Sequence, residues 1–441
     1  MKIDEIILAG KRKRPGRLRQ ERKIQKGLSL REAAEGKNTH LEHLEDQIIN
    51  KGFNGVQEVV ATLQGLSDML GGHAEHKYKI STKWDGAPAI ICGIDPTDNQ
   101  FFVGTKSVFA KNTPKLVKSK KDIKTMYGEQ PELAAKLLTA LTYLSQIGIK
   151  GVLQGDLLYA GPADITPATI DGQEFITFRP NTITYAVPVN SNLAQKIKKT
   201  KMGIVFHTEY VGGPTLADMT AEFGYDASPF SHSANVWVND ALVKDLSGTA
   251  TMTQEETDAI NLAISKVQQS AANVKPETFA WIDHDLSGVD FKNDLKAHIN
   301  SMIRSAGDFE QDPSAFALAY INRYRTKMLQ AIEVLKSEKG KASKQEAMEE
   351  GLKFLNSHVN DLKSFYNLYL RTITAKLFLV KKLATIKSLD SFLEVGPNEY
   401  KVTPEEGKVI IDHMGNAVKL VDRLEFSRAN FTMPKNWGTK A

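Results

Sequence analysis

Cysteine is almost missing from this chain, and its scarcity removes several classes of structure. The single thiol, Cys92, excludes an internal disulfide framework and any zinc site built on paired cysteines. A reducing, intracellular compartment is therefore expected. Long apolar runs are missing too: nothing approaches the roughly 18 consecutive apolar residues of a membrane span. The opening segment, residues 1–17, places its short apolar run before its charges. A secretory signal has the opposite order, so no leader and a cytoplasmic location are expected. No internal repeat is visible. An excess of one charge is also lacking, with 57 Lys and Arg against 52 Asp and Glu. Any site for a polyanion must then come from local segregation of charge.

Such segregation is present near the start. Lys11, Arg12, Lys13, Arg14, Arg17, Arg19, Arg22, Lys23 and Lys26 crowd into one arm. This block suits phosphate backbones, and equally a solvated tail with no partner. After residues 1–35, apolar residues recur at helical spacing through Leu41, Leu44, Ile48 and Ile49, and again from Val56 to Leu70. Gly71-Gly72 is a stop signal for that helix. Short β-rich runs then follow at 78–83, 89–93, 100–104, 151–159, 174–178, 182–187 and 203–210. A turn is expected at Asp95-Pro96-Thr97-Asp98-Asn99 and a helix near 132–146. Residues 253–387 carry apolar positions every three or four residues, which predicts a helical bundle. Strand texture returns at 401–423. The resulting fold class is α+β. Its parts are an arm at 1–35, a sheet-rich core with N-terminal helices at 36–250, a helical domain at 251–395, and C-terminal strands at 396–441 completing the core.

One short segment carries most of the chemistry: Ser81-Thr82-Lys83-Trp84-Asp85-Gly86-Ala87-Pro88. A lysine stands at a strand end, two residues before an acid and three before a glycine. An amine that attacks phosphorus must be neutral when it attacks, and buried or cationic surroundings favour that. The glycine permits close approach of backbone to a ligand. Taken alone, the pattern also describes an ordinary strand running into a turn.

Lys83-Trp84-Asp85-Gly86 resembles the lysine motif of the covalent nucleotidyltransferases, which comprise ATP-dependent DNA ligases, RNA ligases and mRNA capping enzymes. Further segments resemble later motifs of that superfamily in order. Gly104-Thr105-Lys106-Ser107 places Lys106 where an arginine is usual. Leu153-Gln154-Gly155-Asp156 places Asp156 where glutamate is usual. Glu405-Glu406-Gly407-Lys408-Val409 supplies Glu406, and Gly415 to Val421 supplies Lys419, with Val421 at the place of a frequent second lysine. Lys408 or Arg423 could assist Lys419. Tyr185 or Phe206 would be the aromatic that stacks on the purine.

The resemblance implies a nucleotidyltransferase core built on an ATP-grasp-like antiparallel sheet, with 253–387 as a large helical insertion. It implies Lys83 as the nucleophile that takes up AMP and Lys419 as a catalytic phosphate contact. Asp85, Gly86, Lys106, Asp156, Glu406, Lys419 and one aromatic would hold the nucleotide, and Asp156 and Glu406 would hold Mg²⁺. ATP is the implied donor, a nucleic-acid end the implied acceptor, and no membrane partner is expected. DNA ligases and capping enzymes continue into an oligonucleotide-binding barrel. Too few residues follow Lys419 for one, so RNA ligation is expected before DNA ligation. The texture as a whole also resembles uncharacterised proteins of large tailed bacteriophages. Two rivals fit the same residues: a non-enzymatic nucleic-acid-binding or virion protein with a degenerate core, and a transferase that moves AMP to a protein or small molecule. Asp283 to Asp294 resembles a calcium loop, with a helix-capping turn as the alternative.

Overall fold

The computed structural model describes residues 41–73, 78–230, 233–243, 251–283, 285–305, 308–386, 389–396, 399–403 and 405–427. The arm at 1–35 lies outside these residues. The first described helix, α1 (Asp46–Leu70), is kinked at Gly52, whose φ of 58° is open to glycine without strain. The two helical runs expected from the sequence are thus the two halves of one bent element. It ends at Gly71, as the Gly-Gly signal predicts.

The strands build three main sheets. A small one has the order β1 (Lys79–Lys83), β15 (Gly407–Ile411), β16 (Ala417–Leu420) and is antiparallel throughout. A larger one runs β10 (Val236–Asp240), β8 (Met202–Val211), β4 (Val152–Tyr159), β2 (Ala89–Ile94), β3 (Phe101–Gly104), with β9 (Thr220–Phe223) also on β8. All its pairings are antiparallel except β10 with β8. The Asp95–Asn99 turn joins β2 to β3, as its composition predicts. A third sheet orders β14 (Glu399–Val402), β13 (Asp390–Gly396), β7 (Thr184–Pro188), β6 (Gln173–Phe178), β5 (Ile165–Ile170). Strand β13 begins inside the 251–395 segment read as helical, and it pairs with β7 of the sheet region.

Helices α2 (Lys120–Tyr127) and α3 (Pro131–Leu144) cover one face of the six-stranded sheet. Ile123, Tyr127, Leu137 and Leu144 pack there on Ile90, Leu153, Ile204 and Phe206. A further short helix, α4 (Asn192–Lys199), precedes β8. The helical body comprises α5 (Gln254–Ala272), α6 (Pro276–Ile282), α7 (Phe291–Arg304), α8 (Pro313–Glu333), α9 (Glu338–Ser357) and α10 (Val359–Leu383), with the hairpin β11 (Asp285–Leu286) and β12 (Val289–Asp290) between α6 and α7. Its ends are written locally: Thr253 and Glu256 form a capping box at α5, and Asp312 caps α8 ahead of Pro313. The segment resembling a calcium loop is a capped turn. Asp290 accepts from the Asn293 N–H, and Asp294 is buried against Tyr320 and Lys327.

The helical body does not stand apart. Ile80, Ile410 and Leu420 of the small sheet belong to the same apolar core as α1, α5, α7 and α10. One face of the small sheet is therefore cemented to helices, leaving the other free to face the large sheet.

Candidate active site

A cavity of about 300 Å³ opens between the two sheets. Strand alternation decides what faces it. On the small sheet Lys83 is opposite Gly407, Ser81 opposite Val409, and Val409 opposite Lys419. Ser81, Lys83, Val409, Ile411 and Lys419 all line the cavity. Ile80, Ile410, Leu420 and Lys408, which alternate with them, turn toward the helices. The Lys408 Nζ donates to Thr82 Oγ1 at 3.0 Å, to the Ile386 carbonyl at 2.8 Å and to Glu405 Oε2 at 2.6 Å. Lys408 thus cannot assist Lys419, and Arg423, bonded to Asp46 and Tyr369, cannot either.

The large sheet contributes Ala89 and Ile91 from β2, Gln154 and Asp156 from β4, and His207, Thr208 and Tyr210 from β8. Lys106 joins them from the turn after β3. The lining of the cavity therefore combines charged and titratable residues (Lys83, Lys106, Asp156, His207, Lys419) with apolar ones (Ile91, Phe223, Val409, Ile411). Lys83, Lys106, Asp156 and Lys419, read separately from the sequence, share this one cavity. Glu406 reaches it through an ion pair with Lys83, from which it is 323 positions distant in the chain.

Asp85 and Gly86 support the site from beneath. The Asp85 carboxylate accepts from the Thr182 N–H at 2.7 Å, the Ile183 N–H at 2.8 Å and Asn181 Nδ2 at 2.7 Å, while its own N–H donates to the Tyr185 hydroxyl at 2.7 Å. It is buried and does not line the cavity, so its role is to fasten the turn after β1 to the loop before β7. A Cβ on Gly86 would sit 2.4 Å from Asp156 Cβ, so only glycine lets the turn pass this close to β4. The next peptide, Ala87-Pro88, is cis.

Neither aromatic suggested for stacking faces the cavity. Tyr185 packs against Phe178 and Trp84, Phe206 packs under α2 and α3, and both are 0% exposed. The residue beside Phe206 takes the place facing the cavity. Gln154 pairs with Thr208 and Gly155 with Phe206, so His207 is the extra residue of a β-bulge. A bulge re-aims a side chain locally, and here it turns the imidazole into the cavity. A sequence pattern of period two carries no mark of that displacement.

The electrostatics follow from burial and from Lys83. Burial by itself would depress the Lys83 ammonium, but Glu406, with Asp156 and Asp85 behind it, outweighs that and holds the amine above its usual range. Burial lifts Glu406 too, against the pull of Lys83. Burial also pushes the Asp156 carboxyl up to about 7, opposed by Lys83. It pushes His207 down to about 4, helped by Lys83. His207 Nε2 stands 3.7 Å from Asp156 Oδ2. Lys419 is lowered by burial and by Lys83, and Lys106 by burial. Trp84, part of the cavity wall, has a buried indole N–H with no partner among the described residues. Three cations and an orphaned donor around one cavity make an anion-accepting environment.

The donor set bears on a metal as well. Two carboxylates reach the cavity, Asp156 in its lining and Glu406 through Lys83, and both offer hard oxygen donors. Oxygen donors of this kind are chemically compatible with Mg²⁺, which takes one or two carboxylates together with waters and phosphate oxygens. Among the described residues no helix is long and apolar enough to cross a membrane. No curated protein and no solved structure matches the chain. A family model, described as a family of unknown function (DUF6267), matches residues 38–435, and the chain belongs to that family.

Proposed function

We propose that the cavity is a nucleotidyl-transfer site in which Lys83 takes AMP from ATP and passes it to a nucleic-acid end, RNA before DNA. One observation carries the reading: Lys83, Lys106, Asp156 and Lys419 converge on one cavity, with Glu406 ion-paired to Lys83.

The base packs on the apolar lining, Ile91 and Phe223 of the large sheet and Val409 and Ile411 of the small one. The phosphates lie among Lys83, Lys106 and Lys419. Asp156 and Glu406 would hold Mg²⁺, which supplies charge neutralisation on the triphosphate. Lys83 begins as an ammonium held by Glu406. It loses a proton to solvent before it attacks, which leaves the Glu406 carboxylate for the metal it would hold. The amine then forms the N–P bond as the bond from the α-phosphorus to the departing pyrophosphate oxygen breaks. The nitrogen passes its second proton to the departing pyrophosphate as the phosphoramidate forms. Lys419, stripped of water by burial, stabilises negative charge on the reacting phosphate.

Intact mass of the full chain after incubation with ATP and Mg²⁺ tests this. The wild type should gain one AMP, and Lys83→Ala should gain none. A wild type without adduct from ATP or GTP, once any carried nucleotide has been removed, would sink the proposal. Offering the adduct nicked DNA, nicked RNA duplex and single-stranded RNA identifies the acceptor. Discharge to none of them points to AMP transfer onto a protein or small molecule.

A further inference from the structure

A ledge of lysines leads away from the cavity wall. Residues 106–124 hold seven lysines and one acid. The acid is already committed: Asp122 Oδ2 accepts from Lys118 N, Ser119 N and Ser119 Oγ at 2.8–3.0 Å, forming the cap of α2. Lys118 is committed as well, to Asp95 and Asp98. Lys111, Lys115, Lys120, Lys121 and Lys124 are exposed and make no ion pair among the described residues. Lys115 lies 5.3 Å over the Tyr127 ring.

The fold fixes this segment beside the cavity. Lys106 lines the cavity itself. Val103 and Val117 exchange backbone hydrogen bonds at 3.0 and 2.9 Å, so the returning chain runs along the open edge of β3. Helix α2 is anchored by Ile123 and Tyr127, which leaves Lys120, Lys121 and Lys124 on its outer side.

We propose that this ledge binds a nucleic-acid strand, with the sugar–phosphate backbone across Lys111, Lys115, Lys120, Lys121 and Lys124 and the strand's end directed past Lys106. The proposal rests on the reading of the cavity only for that direction; binding by the ledge stands by itself. Val108, Phe109 and Tyr127, the segment's larger apolar side chains, are buried, so bases find no stacking surface there. Recognition is by backbone charge, hence indifferent to sequence and steeply dependent on salt.

The test uses the full chain and single-stranded RNA and DNA oligonucleotides of about 20 nucleotides, long enough to cross a ledge whose contacts each contribute to the salt slope. Fluorescence anisotropy across a salt series compares the wild type with a Lys111→Gln, Lys120→Gln, Lys121→Gln, Lys124→Gln variant. A control changes Lys266, Lys336, Lys339 and Lys353 to Gln on the helical body, removing equal charge. The ledge variant should bind about 10- to 100-fold more weakly, with a log–log salt slope shallower by about three. The control should stay near wild type. Equal weakening in both variants, or none in the ledge variant, overturns the proposal. AMP addition to each protein is weighed in parallel. A wild type that binds strands through the ledge but takes no AMP refutes the Lys83 reading alone; one that takes AMP while the ledge variant binds normally refutes the ledge alone.

Discussion

Asp156 and His207 reverse their customary order of acidity, the carboxyl at about 7 and the imidazole at about 4. Between those values both are neutral, and only above about 7 does Asp156 become an anion. In the proposed chemistry Asp156 acts as a carboxylate, so its raised pKa removes the active form as pH falls through 7. Lys83, held above the usual amine range, acts in its deprotonated form, so the attacking fraction grows with pH throughout the neutral region. At limiting Mg²⁺ the logarithm of the AMP-addition rate should therefore rise with a slope of about two below pH 7 and about one above it. Asp156→Asn should be slower and should lose the break. Single-turnover rates between pH 5.5 and 9, a span of roughly two units on either side of the neutral-region transition, measure both; a wild-type profile without a break would remove Asp156 from the reaction.

At the scale of elements, the turn after β1 is held by a carboxylate instead of by backbone pairing alone. Removing Asp85 strands two buried backbone N–H groups at Thr182 and Ile183 and frees the loop before β7. Asp85→Ala should cost about 2–4 kcal/mol by urea unfolding, the sum expected for buried donors left without a charged acceptor. The same turn shows what can be read from sequence. Lysine, acid and glycine were visible at 83, 85 and 86, yet the residue types could not distinguish an acid that touches ligand from one that fastens a loop. Lys106, Asp156 and Lys419 were singled out by the superfamily motifs that their segments resemble, and they line one cavity although Lys106 lies on the turn after β3 and the other two on strands. His207 was not, because a bulge breaks the alternation that such a reading relies on. The long helices were legible from their period, whereas the short α2 and α4 were not. Strand β13 was not, since it pairs with β7, a partner far away in the chain.

For the whole molecule, the connection between helices and sheets is a buried cluster of charge. Lys376 of α10 donates to both Glu45 oxygens at 2.8 and 2.9 Å, and Arg423 lies 3.6 Å from Glu45 and 3.3 Å from Asp46. The Tyr369 hydroxyl donates to Asp46 at 2.9 Å, and Arg423 also donates to Asn300 of α7. Although burial opposes it, Lys376, His43 and Arg423 bring the Glu45 carboxyl down to about 2. Lys376→Met should destabilise by about 3–5 kcal/mol, because it leaves that carboxylate buried beside one cation fewer. The double variant Glu45→Leu with Lys376→Met should recover most of the loss, since Arg423 keeps Asp46. Thermal or urea unfolding of both decides it, and a double variant no better than the single would contradict the account.

Just ahead of Glu45, the Lys419 N–H donates to the Glu42 carbonyl at 2.9 Å, and the Leu44 N–H donates to the Lys419 carbonyl at 3.2 Å. The strand bearing Lys419 is thus stitched to residues made early, while Lys83 waits for a partner made late. At roughly 5–20 residues per second, about 20–70 s of translation separate Lys83 from Lys419. A ribosome-bound chain holds the nucleophile long before it holds Glu406 and Lys419, so the cavity is completed only once that late hairpin has been made.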